Sequence, residues 1–142
     1  MAQILIVDDD DLIAALASNL LSAAGHACGW VSSGEDALDL LKWRSPDLLL
    51  LDQDMPGMSG TTVLRMLRAS PEHRDLPVIM FTAVNGHEIE QNALVAGAND
   101  FISKPLNPAL LAFKVDRLLE TRARQLPYRA SIEVGATATM AT

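Results

Sequence analysis

The chain has 142 residues, 49% hydrophobic and 20% charged, which suits one folded domain with a sizeable core and excludes a disordered segment. A net charge of −7 leaves no basic stripe to neutralise phosphates, which argues against direct nucleic-acid binding. The single cysteine, Cys28, excludes an internal disulfide and fits a reducing cytosol, and no segment approaches the roughly 20 apolar residues of a membrane span.

Apolar runs and helical periodicities alternate along the chain. Ile4–Val7 predicts a short buried strand, too short for a signal peptide and followed at once by Asp8, Asp9, Asp10 and Asp11. Leu12, Ile13, Leu16, Leu20 and Leu21 then recur at helical spacing, with Asp10 or Asp11 as N-cap and Gly25 as the stop. His26–Val31 reads as a second strand. Ser33 with Asp36 resembles a capping box opening a helix whose inner face carries Ala37, Leu38 and Leu41, and Pro46 blocks its continuation. Leu48–Leu51 is an unbroken leucine run, the pattern of a strand buried on both faces. A helix with Val63, Leu64 and Leu67 inward ends near Pro71. Val78–Phe81 is the fourth strand, and Ile89, Ala93 and Ala96 mark a helix stopped by Gly97. Phe101–Ser103 is the fifth strand. Asn107 caps a last helix with Pro108 at its first position and Leu111, Val115, Leu118 and Leu119 inward.

Five strands alternating with five helices imply right-handed crossovers and a doubly wound parallel α/β sheet. The rhythm occupies residues 1–124 and breaks near Gln125-Leu126-Pro127. In the tail, 125–142, the apolar Tyr128, Ala130, Ile132 and Val134 alternate with polar residues. This pattern predicts an added strand, packing on a partner, or a linker stub; an exchanged tail strand would make a homodimer.

In such a sheet every loop after a strand opens at one edge, where ligands bind. The strand ends supply Asp8 and Asp9, then Asp52, then Thr82, then Lys104. Carboxylates gathered there repel one another by roughly 4 kcal/mol per pair at about 4 Å and an effective dielectric near 20. Their coexistence calls for a cation or shifted pKa values. An all-oxygen donor set suits Mg²⁺. A carboxylate beside Mg²⁺, an ammonium and a hydroxyl is equipped to attack a phosphoryl group.

Five fragments, in order and each at an expected strand end, carry a family resemblance: Val7-Asp8-Asp9, Asp52-x-x-Met55-Pro56-Gly57-Met58-x-Gly60, Thr82-Ala83, Gly97-Ala98-x-x-Phe101 and Lys104-Pro105. The chain resembles the receiver domain of two-component response regulators over about residues 2–124. The resemblance implies a flavodoxin-like sheet in the order 2-1-3-4-5. It implies a phosphoacceptor at Asp52, loaded from the phosphohistidine of a sensor histidine kinase or phosphotransfer protein, in the cytoplasm. Asp9 would hold Mg²⁺ directly, Asp8 largely through water, and the backbone carbonyl of Asp54 would complete the set. Thr82 and Lys104 would bind the phosphoryl oxygens, Phe101 would be the aromatic partner of Thr82 in a two-state switch, and the Lys104–Pro105 bond would be cis. The domain would catalyse its own phosphorylation and dephosphorylation and no other reaction. Gln53, Asp54 and Val84 depart from the commonest pattern at places that flank attacking water, and Phe101 lacks a tyrosine hydroxyl. The last helix, Leu110–Leu119, looks more like that of receivers joined to cyclase or kinase modules than of DNA-binding regulators.

Competing readings are weaker. Asp52-Gln53-Asp54 after an apolar strand resembles the Asp-x-Asp of haloacid-dehalogenase phosphatases, but that motif belongs on a first strand. A degenerate receiver serving only as a binding module would not need the full acidic set. Bland roles are expected elsewhere: surface positions for His26, His73 and His87, packing for Trp30 and Trp43, and core or turn filling for Met55, Met58, Met66 and Met80.

Overall fold

A computed structural model describes residues 1–82, 94 and 96–136, with side chains described as far as 123. Five strands form one parallel sheet: β1 (Gln3–Val7), β2 (Ala27–Val31), β3 (Leu48–Asp52), β4 (Val78–Thr82) and β5 (Asp100–Ser103). Their order is β2-β1-β3-β4-β5, as the resemblance implies. Among the described residues there are four helices: α1 (Asp11–Ala23), α2 (Gly34–Leu41), α3 (Gly60–Ala69) and α4 (Pro108–Ala136). The fifth expected helix, around Ile89 and Ala93, lies outside the described residues, as does Val84. No helix among the described residues is long and apolar enough to cross a membrane.

Strand alternation builds two cores from one sheet. Leu5, Val7, Leu49, Leu51, Val78 and Met80 face α2 and α3, meeting Ala37, Leu41, Val63, Leu64 and Leu67. Ile4, Ile6, Leu48, Leu50, Ile79, Phe81 and Ile102 face α1 and α4, meeting Ala14, Ala17, Leu21, Leu111 and Val115. β3 pairs with β1 on one side and β4 on the other, and all five of its residues are buried. The leucine run is thus a central strand covered on both faces. Because β2 and β3 lie on opposite sides of β1, strand order reverses there, and the crevice of the switch point opens above the carboxyl ends of β1 and β3.

The caps are largely those the sequence specifies. Asp10 accepts from the N–H groups of Leu12 and Ile13, Ser33 from Asp36, and Asn107 from Leu110. The buried face of α1 differs from the leucine stripe, however. Leu12 is 81% exposed and Leu16 46%, while the contact is made by Ala14, Ala17 and Leu21. Two alanines let the helix approach the sheet closely, so the larger side chains rotate outward. Trp43 and Met66 are likewise exposed rather than packed, whereas His26 is mostly buried, accepting from the Ala2 N–H and facing Asp116.

The alternating tail does not form an added strand. α4 continues through it to Ala136, past the expected boundary at Gln125–Pro127. A helix satisfies its backbone within the segment, and this one continues a helix already formed from Pro108. Arg122 ties α4 down by donating to the Asp47 carbonyl at 2.8 Å.

Candidate functional site

The strand ends converge as the topology requires. β3 ends in Asp52, whose side chain is fully buried. β1 ends at Val7, and the chain leaves it through buried Asp8 and exposed Asp9. Ligand oxygens of Asp8, Asp9 and Asp52 all lie within 4.8 Å of one another. Lys104 directly follows β5 and precedes Pro105 through a cis bond, and its N–H donates to the Thr82 carbonyl at 2.8 Å. Its ammonium reaches Asp52 Oδ1 at 3.0 Å and stands 3.9 Å from Asp8 Oδ2.

One oxygen of each buried carboxylate is committed. Asp8 Oδ1 accepts from the Asp10 N–H at 2.9 Å, and Asp52 Oδ1 accepts from the Asp54 N–H at 3.2 Å as well as from Lys104. The other oxygens are not. Among the described residues, the buried side-chain atoms lacking any hydrogen-bond partner are Asp8 Oδ2, Asp52 Oδ2 and Thr82 Oγ1. Buried polar atoms are ordinarily paired, since an unpaired one costs about 1–3 kcal/mol. Three such atoms at one edge of the sheet form a receptor for an oxygen-seeking cation and an oxyanion. The hard-oxygen donor set therefore fits a divalent ion such as Mg²⁺.

Electrostatics agree. Burial pushes the Asp52 carboxyl up to about 7; the Lys104 hydrogen bond opposes this, the nearby Asp8 charge adds to it, and the Lys104 charge and Asp54 N–H oppose it again. For Lys104 burial works against the charge. The hydrogen bond and field of Asp52, with the fields of Asp8 and Asp54, outweigh it and raise the ammonium's pKa.

The α3 start is moulded to the acceptor strand. The Gly60 N–H donates to the Gln53 carbonyl, and a Cβ on Gly60 would collide with the Asp52 carbonyl oxygen and lie 2.9 Å from Gln53 Cα. The Gln53 amide is drawn away from the pocket mouth, its Oε1 accepting from the Thr61 N–H and hydroxyl at 2.9 and 2.6 Å. Phe101, half-buried on β5, packs against the α2–α3 core. Lys114 of α4 lies 5.0 Å from its ring centre, donating to the Phe101 carbonyl at 2.7 Å and to Asp100 at 2.9 Å. The Asp100, Lys114 and Arg117 network is one that sequence reasoning missed: the carboxylate and cations are 14 and 17 positions apart, with no local periodicity to connect them.

Comparison with known proteins follows the same outline. Residues 4–116 match the family model described as the response regulator receiver domain. The chain is 47% identical over 90 residues to the cyclic di-GMP phosphodiesterase response regulator RpfG of Xanthomonas campestris, covering 61% of this chain and 24% of that protein. It is 37% identical over 117 residues to the response regulator PleD of Caulobacter vibrioides, covering 82% of this chain and 26% of that protein. The chain thus spans about a quarter of the length of these curated relatives. Among solved structures, the receiver domain of a signal transduction histidine kinase from Syntrophus aciditrophicus superposes with a TM-score of 0.80 at 35% identity, covering 85% of this chain and 92% of that one.

Proposed function

The chain belongs to the response regulator receiver domain family of two-component signalling, and from that premise we propose that Asp52 is its phosphoacceptor. The observation that carries this assignment is the trio of orphaned buried atoms, Asp8 Oδ2, Asp52 Oδ2 and Thr82 Oγ1, gathered beside Lys104. Asp52 Oδ2 attacks the phosphorus of a partner's phosphohistidine. An O–P bond forms as the P–N bond breaks, and the imidazole departs with the electron pair. Lys104, already on Oδ1, neutralises charge on the incoming phosphoryl oxygens, and the Thr82 hydroxyl donates to one of them. Asp9, Asp52 and the Asp54 carbonyl would hold Mg²⁺, with Asp8 acting largely through water. When bound, that ion would supply Lewis-acid neutralisation of the transferring group.

Satisfying Thr82 Oγ1 biases β4 against β5, where Phe101, paired with Met80, stands two register positions before the Thr82 and Ser103 pair. Thr82 and Phe101 thereby form the two-state element through which phosphorylation reaches an output partner. Partners are a sensor histidine kinase or phosphotransfer protein, in the cytoplasm. A dehalogenase-type phosphatase is disfavoured because Asp52 ends the third strand in sequence, not the first.

Incubation with a small acyl-phosphate donor and Mg²⁺ should add one phosphoryl group, detected by intact mass. Asp52→Asn should add none. Full labelling of that variant would overturn the assignment.

A further inference from the structure

Asp8 is gripped from β2 at two backbone atoms. Its N–H donates to the Val31 carbonyl at 3.2 Å, and its own carbonyl accepts from the indole Nε1 of Trp30 at 2.8 Å. β1 and β2 stop pairing at Val7 and Val31, so the Asp8 carbonyl lies one residue beyond the ladder. The Trp30 ring takes over where backbone pairing ends. That carbonyl belongs to the peptide joining Asp8 to Asp9, so the indole fixes the plane from which the Asp9 side chain departs. With Asp8 Oδ1 held by the Asp10 N–H, this leaves Asp8 Oδ2 as the one uncommitted acceptor of that carboxylate. Trp30 is 44% exposed, more than a tryptophan kept purely for packing.

We infer that Trp30 is a positioning residue of the acidic site: its indole N–H sets the orientation of the Asp8–Asp9 peptide for cation binding, and its emission reports cation entry. The inference rests on the cation reading of Asp8, Asp9 and Asp52. A lost hydrogen bond of ordinary net strength corresponds to about a two- to thirteenfold change in an equilibrium constant.

Trp43 is 86% exposed beyond the end of α2, so Trp43→Phe leaves Trp30 as the single tryptophan, excited selectively at the red edge of the aromatic band. In that background, Mg²⁺ titration should change Trp30 emission saturably, with a midpoint matching the calorimetric Kd and moved to higher Mg²⁺ by Asp9→Ala. Trp30→Phe keeps an aromatic ring but has no donor. It should weaken calorimetric Mg²⁺ binding about two- to thirteenfold while thermal unfolding stays cooperative. A packing role alone would lower Tm and leave the Mg²⁺ affinity where it was. Unchanged affinity in Trp30→Phe, or flat emission while calorimetry records saturation, would overturn the inference and spare the cation site. Absence of Mg²⁺ binding by the parent chain would instead overturn the cation reading, and this inference with it. Should Trp30→Phe fail to fold, the emission titration, which keeps Trp30, decides.

Discussion

Asp52 and Asp100 are two buried carboxylates on strands of one sheet, and they are treated oppositely. Asp100, 8% exposed at the start of β5, has both oxygens engaged: Oδ1 accepts from Lys114 and the Phe101 N–H, Oδ2 from Arg117. Asp52, fully buried at the end of β3, has one oxygen engaged and one vacant. Two cations suffice for the first, whereas the second shares a single ammonium with Asp8. Burial alone therefore does not mark a functional acid. What distinguishes Asp52 is burial left short of partners, which costs stability unless a ligand completes it.

That contrast can be broken experimentally, beginning with an all-or-none effect. Asp100→Asn should accept a phosphoryl group as the parent does, whereas Asp52→Asn should accept none; equal labelling of the two variants would erase the distinction. Next in size is metal affinity. Asp9→Ala should weaken Mg²⁺ binding by at least about tenfold, the lower end of what even indirect ligand-orienting residues contribute, and Asp100→Asn should leave it unchanged. Isothermal titration of both variants checks this, and an unaltered Kd for Asp9→Ala would remove Asp9 from the site.

Stability should rank the two acids the other way. Asp100→Ala strands the Lys114 ammonium, 16% exposed, and the Arg117 guanidinium, which is about half exposed. Removing one partner of a fully buried pair costs about 3–5 kcal/mol, and the exposure of Arg117 brings the expected loss to about 2–3 kcal/mol. Asp52→Asn removes a charge that burial and Asp8 disfavour, so at neutral pH without Mg²⁺ it should match or exceed the parent. Urea midpoints at fixed m-value measure both. A parent less stable than Asp100→Ala, or far more stable than Asp52→Asn, would contradict the contrast.

The sequence exposes Asp52 plainly and Asp100 hardly at all, for a physical reason. Leu48–Leu51 can satisfy its pattern only as a strand covered on both faces, so the residue that ends it must stand at the sheet edge. Asp8, Thr82 and Lys104 are legible in the same way, each closing or following an apolar run. Strand order was not in the spacing; it came with the family resemblance and agrees with the sheet observed. Asp100 begins its strand instead of ending it, and its partners sit on the far side of a turn. On α1, Leu20 and Leu21 of the periodic set pack on the sheet while Leu12 and Leu16 face outward, because Ala14 and Ala17 take the closest approach. The period-two tail leaves an added strand, packing on a partner and a linker stub open, because alternation over seven residues does not exclude a helix continued from the preceding turn; α4 runs through it to Ala136. The Trp30 bond to Asp8 joins positions 22 apart across two strands, and no local signal could announce it.

The smallest expected effect is the pH dependence that Asp52 imposes on stability. Burial, reinforced by Asp8 and only partly offset by Lys104, raises the Asp52 pKa to about 7, whereas an aspartate in an unfolded chain titrates near 3.9. Between about pH 4 and 7 the unfolded chain has released a proton that the folded chain still holds. Fewer protons bound in the unfolded state means that stability falls as pH rises through that window. Below about pH 4 both states hold the proton and the contribution is fully present; above 7 neither does and it is gone. The parent should therefore lose stability relative to Asp52→Asn from pH 4 to 7, then run parallel to it. Saturating Mg²⁺ should flatten the slope, because a cation on the vacant oxygens favours the ionised folded form and lowers its pKa. Urea unfolding of parent and Asp52→Asn at half-unit steps, with and without Mg²⁺, reads the difference directly. Parallel profiles throughout would mean that Asp52 is already ionised across the window, and that Lys104 alone compensates its burial.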